Sequence, residues 1–143
     1  MIKFTIPIDP VPYLRMTQAE AALMRIPRSR IRAAALQRWQ TVYRYLEYKK
    51  HVWALSRMEL WRSSLDLGEK IRMDCIFYFR SGKHGDPDNC WKAIADSLFT
   101  NDSKVIGSFD FFFHSEVPRT EVVIEQVIEE QVQGAGFKVQ GKK

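Results

Sequence analysis

Ile71-Arg72-Met73-Asp74-Cys75-Ile76-Phe77-Tyr78-Phe79-Arg80, then Ser81-Gly82-Lys83-His84-Gly85, then Asp86-Pro87-Asp88-Asn89-Cys90-Trp91-Lys92-Ala93-Ile94-Ala95-Asp96-Ser97-Leu98: within this stretch the apolar period changes from two to that of a helix. Ile71, Met73, Cys75, Phe77 and Phe79 alternate with more polar neighbours, which predicts a strand buried more heavily on one face. Gly82 and Gly85 mark a loop. Trp91, Ile94, Ala95 and Leu98 then fall at helical spacing, so a short helix is expected from near Asp88 to Leu98. Its start is signalled twice: Asp86 can cap with Pro87 in the first helical position, or Asp88 can itself cap.

Downstream, Val105 to His114 predicts a third strand with Val105, Gly107, Phe109, Phe111 and Phe113 on one face and Phe112 on the other, all four phenylalanines expected in the core. Arg119 to Ile128 predicts a fourth strand, joined to the third through Ser115-Glu116-Val117-Pro118 as an antiparallel hairpin. Residues 133–143 carry three glycines and two final lysines with little to bury, so a flexible tail is expected there. Upstream, Ile2 to Ile8 predicts a first strand closed by Asp9-Pro10-Val11-Pro12. Residues 17–34 are basic, interrupted by Pro27, and predict an arm or flap. Ala33 to Ser56 predicts a long helix, with Leu36, Trp39, Tyr43, Leu46 and Trp53 as its core stripe. Arg38, Tyr45 and Lys49, with Arg44 and His51, then lie elsewhere on the cylinder and offer phosphate contacts, a solvated charged face being the equally weighted plainer explanation. The expectation is a single α+β domain over residues 1–132, in the order β-α-β-α-β-β, with a small four-stranded sheet, mostly antiparallel or mixed, flanked by helices.

At 143 residues with 45% hydrophobic content, the chain suits one core. The net charge of +5 is unevenly placed: residues 11–62 hold 11 Lys or Arg against 3 acids, and residues 63–143 hold 10 against 13. The front half is therefore the better surface for phosphate, with a solvated basic face as the plainer explanation. Cys75 and Cys90 are the only cysteines and lack metal or redox spacing, so both are expected as buried thiols of a reduced, cytoplasmic protein. No apolar run approaches the roughly 20 residues of a membrane span.

The acidic residues beside the short helix carry the chemistry. Asp88, Lys92 and Asp96 share one side of it at spacings of four, and Asp86 lies just before. Taken alone these residues are better explained as a helix cap and a ladder of surface ion pairs, each contributing about 0.3 to 0.5 kcal/mol. Asp102 changes the balance if the turn after the helix carries it to the same region, because three carboxylates there would repel without a cation. Mg²⁺ accepts one or two carboxylates with water completing its shell, Mn²⁺ being a possible substitute, and it supplies phosphate polarisation and water activation. Lys92 is placed either to neutralise charge developing on a phosphate or to pair with Asp88 or Asp96.

Asp86-x-Asp88-Asn89-x-x-Lys92, then Asp96, then Asp102-Ser103-Lys104-Val105, resembles the signature of RusA-type Holliday-junction resolvases. Phe4-Thr5-Ile6-Pro7-Ile8-Asp9-Pro10-Val11-Pro12 is similar to that family's first strand and proline-rich turn. The likeness covers roughly residues 1 to 128, with its specific part between 86 and 105. Asn101 stands where the family pattern has the first of two aspartates, and Tyr13-Leu14-Arg15-Met16-Thr17 departs from its basic motif. The resemblance implies a homodimeric, Mg²⁺-dependent endonuclease that nicks opposing strands of four-way DNA junctions, with Asp86, Asp88 and Asp102 as metal ligands and Lys92 as the catalytic lysine. Arg15, Arg28, Arg30, Arg32 and Lys49 are the expected phosphate contacts. Two other classes fit parts of the pattern: a non-catalytic basic dimer that binds branched or single-stranded DNA, and a phosphohydrolase of free nucleotides, which the basic front half disfavours.

Overall fold

Strand β2 (Ile71–Tyr78) forms where the alternation predicts it, with Ile71, Met73, Cys75 and Phe77 buried and the intervening residues more exposed. The computed structural model describes residues 1–82, 85–99 and 102–127. Around β2 the chain runs β1 (Ile2–Ile6), α1 (Gln18–Leu23), α2 (Ala33–Arg62), β2, α3 (Pro87–Leu98), β3 (Val105–Ile106), β4 (Phe109–Phe112) and β5 (Arg119–Gln126), with 3-10 turns at Arg28–Arg30 and Asp102–Lys104. This is a single mixed α and β domain whose five-stranded sheet is flanked by three helices. It has one strand and one helix more than expected, because Gln18–Leu23 is helical and the predicted third strand is broken in two. The predicted flexible tail, residues 133–143, and the end of the predicted domain, residues 128–132, lie outside the described residues.

The predicted hairpin does not form. β5 lies between β1 and β2 and is antiparallel to both, while β3 and β4 pair with β2 in parallel on its other side. Neighbours in sequence usually pair, but α3 acts as the crossover that a parallel pair requires and leaves β4 on one edge of β2. The opposite edge of β2 is then free for β5. His114, at φ 56°, helps the chain turn between these two positions.

The register puts one continuous row of apolar side chains on the inner face. Phe4, Val122, Cys75 and Phe109 lie across successive strands, as do Ile6, Thr120, Phe77 and Phe111. Helices α2 and α3 cover that row with Tyr45, Tyr48, Val52, Cys90, Ala93, Ile94 and Ala95, making one core. Phe109, Phe111, Phe112 and Phe113 do not enter it. They are 39% to 49% exposed, contrary to the expectation of burial, because they lie on or just after β4, an edge strand with β2 on one side and no described strand on the other. Phe112 instead stacks on Tyr78 on the outer face, and Arg119 lies 3.8 Å over the Tyr78 ring.

The break between β3 and β4 has a steric cause. A Cβ on Gly107 would meet the Met73 carbonyl oxygen at 1.8 Å, so only glycine lets the two backbones approach there. The Asp74 carboxylate accepts the Ser108 backbone N–H at 2.8 Å and its hydroxyl at 3.0 Å, which satisfies the interrupted ladder. Arg72 pairs with the same carboxylate. Partial burial of Asp74 opposes its charge, but these donors outweigh it and hold the carboxyl below its ordinary value.

Helix α2 runs six residues past the expected end at Ser56, since nothing from Arg57 to Arg62 breaks a helix and Gly68 is the first residue that would. Its buried stripe is also different: Val42, Tyr45, Tyr48, Val52 and Ser56 face the sheet, while Tyr43 and Trp53 are about half exposed. The misassigned rings find partners on the solvent side. Trp39 stacks on Tyr43 at 5.0 Å, and Arg57 covers Trp53 at 4.6 Å. No helix of the described residues is long and apolar enough to cross a membrane.

Candidate active site

The first turn of α3 is set by Asp86, which stands at the cap and accepts the Asp88 backbone N–H at 3.0 Å, with Pro87 in the first helical position. Of the two starts left open by the sequence, this is the one adopted. Asp88 follows in the same turn with a side chain 57% exposed, and Lys92, 52% exposed, approaches it only to 3.9 Å. That is a loose surface pair, and no described group donates a hydrogen bond to the Asp88 carboxylate at closer range. The structure therefore brings Asp86, Asp88 and Lys92 to one exposed helix end. The side chain of Asp102 lies outside the described residues, as do Thr100 and Asn101; the backbone of Asp102 opens the 3-10 turn that leads into β3.

This helix end is held in place by the proline turn. Tyr13 donates its backbone N–H to the Asn89 carbonyl at 2.8 Å, and Pro12 packs on Gly85, where an added Cβ would come within 2.6 Å of the proline ring. Asp9 accepts the Arg80 backbone N–H at 3.3 Å. Burial pushes the Cys90 thiol up to about 12, with the nearby charges of Asp86 and then Asp9 adding to the effect. Cys75 is displaced the same way by burial. Both cysteines are therefore neutral, inaccessible thiols at pH 7, as their place in the apolar pattern suggested.

Asp96 has a different fate from its neighbours on α3. Its carboxylate accepts the Tyr45 hydroxyl at 2.9 Å and pairs with Lys49 at 2.7 Å, tying α3 to α2. Burial, and then this hydrogen bond, push the Tyr45 hydroxyl well above its ordinary value, so it remains a donor. Lys49 was expected to grip phosphate; it is occupied as the counter-ion of Asp96 and is one-third exposed. Tyr45, expected off the core stripe, lies in the core for the same reason: a partner for its hydroxyl makes burial of its ring possible.

The basic arm is built rather than featureless. Thr17 and Glu20 form a reciprocal cap at the start of α1, and Glu20 pairs with Arg38 of α2 at 2.9 Å. Arg15, Arg28, Arg30 and Arg32 are all exposed and make no ion pair among the described residues, which leaves them open to solution anions. Asp9 was read only as a turn residue. Its spacing from Asp86 in the sequence carries no signal, and only the docking of the proline turn on α3 brings the two toward Cys90.

Two carboxylates at one helix end are hard oxygen donors of the kind that hold Mg²⁺ with water in the remaining positions. Asp86 has one oxygen engaged by the backbone, and among the described residues the Asp88 carboxylate has no polar contact closer than the 3.9 Å approach of Lys92. The described residues contain no group of three His, Cys, Asp or Glu side chains arranged to hold a metal. The chemistry of the described donors, two carboxylates at one exposed helix end, fits a hard cation. Compared with models of known protein families the sequence matches none, and it has no significant match among curated proteins.

Proposed function

We propose that this protein is a metal-dependent endonuclease of branched DNA. The observation that carries the reading is the exposed carboxylate pair Asp86 and Asp88, one helical turn from Lys92, on a domain whose front half presents exposed arginines, Arg15, Arg28, Arg30 and Arg32, with no ion pair among the described residues. Within that class, the spacing of Asp86, Asp88, Asn89, Lys92 and Asp102 favours a resolvase of four-way junctions resembling the RusA type, active as a homodimer so that two sites meet two symmetric strands. Asp86 and Asp88, with Asp102, would hold Mg²⁺ or Mn²⁺, which supplies phosphate polarisation and water activation. Lys92 would place its ammonium against the charge that develops on the phosphate. Arg15, Arg28, Arg30 and Arg32 would contact backbone phosphates without reading bases, so binding would weaken as salt rises.

One observation favours a second reading. Arg15, Arg28, Arg30 and Arg32 are all exposed, and a basic dimer that binds branched or single-stranded DNA without cutting it accounts for them equally well. A single assay separates the two. A labelled four-way junction, a Y-fork and a linear duplex are incubated with the protein in Mg²⁺, in Mn²⁺ and in EDTA. Paired nicks in the junction that require metal and vanish in Asp88→Asn are the expected result; retention of the junction without nicks under either metal overturns the nuclease reading.

A further inference from the structure

Three cavities of about 320, 300 and 330 Å³ line up along one side of α2 and share walls. The first and second meet at Pro12 and Arg44, and the first and third at Leu14, Gln37 and Thr41. Together they form one groove between the proline turn and α2. It begins beside Gly85, the residue before Asp86, and ends at the docked arm.

The charges along this groove are arranged unevenly. At the arm end the Glu20 carboxylate is neutralised by Arg38 at 2.9 Å. At the Gly85 end Asp9 accepts a backbone N–H from Arg80. Between them Arg44 stands exposed where two cavities join, and it makes no ion pair among the described residues. A guanidinium without a carboxylate partner, in a concave polar wall, is suited to bidentate contact with a phosphate. The neighbouring wall offers the side-chain amides of Gln37 and Gln40 and the ring of Tyr13, which is 37% exposed and meets Tyr45 edge-on at 6.0 Å. Amides that both donate and accept, beside an aromatic surface, suit bases and sugars of an unpaired strand.

We infer that this groove is a track for one DNA strand, with Arg44 as the residue that holds its phosphate and Gln37, Gln40 and Tyr13 facing the nucleotides beside it. The inference rests on the nuclease reading for the direction of the track, which leads the strand past Gly85 to Asp86 and Asp88. It also places a phosphate contact on α2 at a residue that, unlike Lys49, makes no ion pair among the described residues.

The test uses the full chain in EDTA, where binding is read without cutting. Anisotropy of a labelled four-way junction and of a labelled single strand is titrated at a series of KCl concentrations for the wild type, Arg44→Gln, Arg44→Lys and Arg62→Gln. Arg62→Gln removes the same charge from α2 outside the groove. Loss of one phosphate contact lowers the slope of log affinity against log salt by about one. Arg44→Gln is expected to show that change and to bind about tenfold more weakly, Arg44→Lys to restore the slope, and Arg62→Gln to keep it. Arg44→Gln binding with the wild-type slope and affinity, or no stronger an effect than Arg62→Gln, overturns the inference. Failure of the nuclease reading is distinct: the wild type then binds the junction, with the same Arg44 dependence, but leaves it intact in Mg²⁺.

Discussion

The two ends of α3 carry the same functional group in opposite circumstances. At its start Asp86 and Asp88 are exposed, with a cap bond and a loose approach from Lys92 as their contacts among the described residues; near its end Asp96 is held by both Tyr45 and Lys49. A carboxylate held by two donors from another helix, here both on one oxygen of Asp96, stabilises the packing of the two helices. One whose oxygens face water contributes little to the fold and is available for chemistry. Position along the helix does not separate the cases, since Asp88 and Asp96 share one side of it. What separates them is α2, whose tyrosine and lysine reach Asp96 alone.

The largest expected effect breaks the contrast from the functional side. Asp88→Asn should lower the rate of metal-dependent junction nicking by about 100-fold or more while changing unfolding free energy by less than about 0.5 kcal/mol. Single-turnover nicking and urea denaturation of the same preparation measure both; a stable variant that nicks at the wild-type rate removes Asp88 from the site. The reverse pattern is expected for Asp96→Ala. It leaves the Tyr45 hydroxyl and Lys49 without their acceptor, so unfolding free energy should fall by about 2 kcal/mol while nicking persists wherever the variant remains folded. Should this variant lose nicking while its unfolding transition stays in place, Asp96 belongs with the site after all.

A smaller effect tests the cap. Asp86→Ala should cost about 1 kcal/mol, whereas Asp86→Asn, which still accepts the Asp88 N–H, should be nearly neutral in thermal melting. Both should lose nicking, because an amide or a methyl cannot replace the carboxylate as a metal ligand. Equal destabilisation by the two would show that charge at the helix start, rather than the cap bond, dominates.

The smallest expected effect concerns Glu20, a third carboxylate, satisfied like Asp96 but on the arm. The Thr17 backbone N–H, then the Thr17 hydroxyl and Arg38, hold its carboxyl below the ordinary 4.5 despite opposition from burial. The folded chain therefore binds this proton less readily than the unfolded chain. The resulting stabilisation is complete above the ordinary carboxylate range and is lost as pH falls through the depressed folded value. Glu20→Gln should accordingly flatten the acid side of the stability profile, measured by melting between pH 3 and 6, and leave the pH 7 to 8 region parallel to the wild type.

Local signals made some elements legible and left others ambiguous. β2 could be read because its alternation serves a single buried face, and the start of α3 because a cap and a proline act within one turn. The core stripe of α2 could not be read from ring size. Tyr43 and Trp53 are among its larger apolar surfaces, yet the sheet takes Val42, Tyr45, Tyr48 and Val52. Trp39 with Tyr43, and Trp53 with Arg57, cover one another outside the core. Likewise the phenylalanines of β4 keep the predicted alternation of faces but not the predicted burial, because alternation is a property of a strand and burial depends on what is packed above it.

The sequence by itself determined the strand and helix that flank the acidic stretch, a helix start at Asp86 or Asp88, the spacing of Asp88 to Lys92, and the imbalance of charge between the two halves. All of these follow from neighbours within a turn or two, or from composition. The tertiary structure decided the partners: that β5 would lie between β1 and β2, that Asp96 would bind Tyr45 and Lys49, and that Arg44 of α2 would face the proline turn with no ion pair among the described residues. Those outcomes depend on which distant surfaces meet, and a side chain's charge does not reveal whether the fold will satisfy it or leave it facing water.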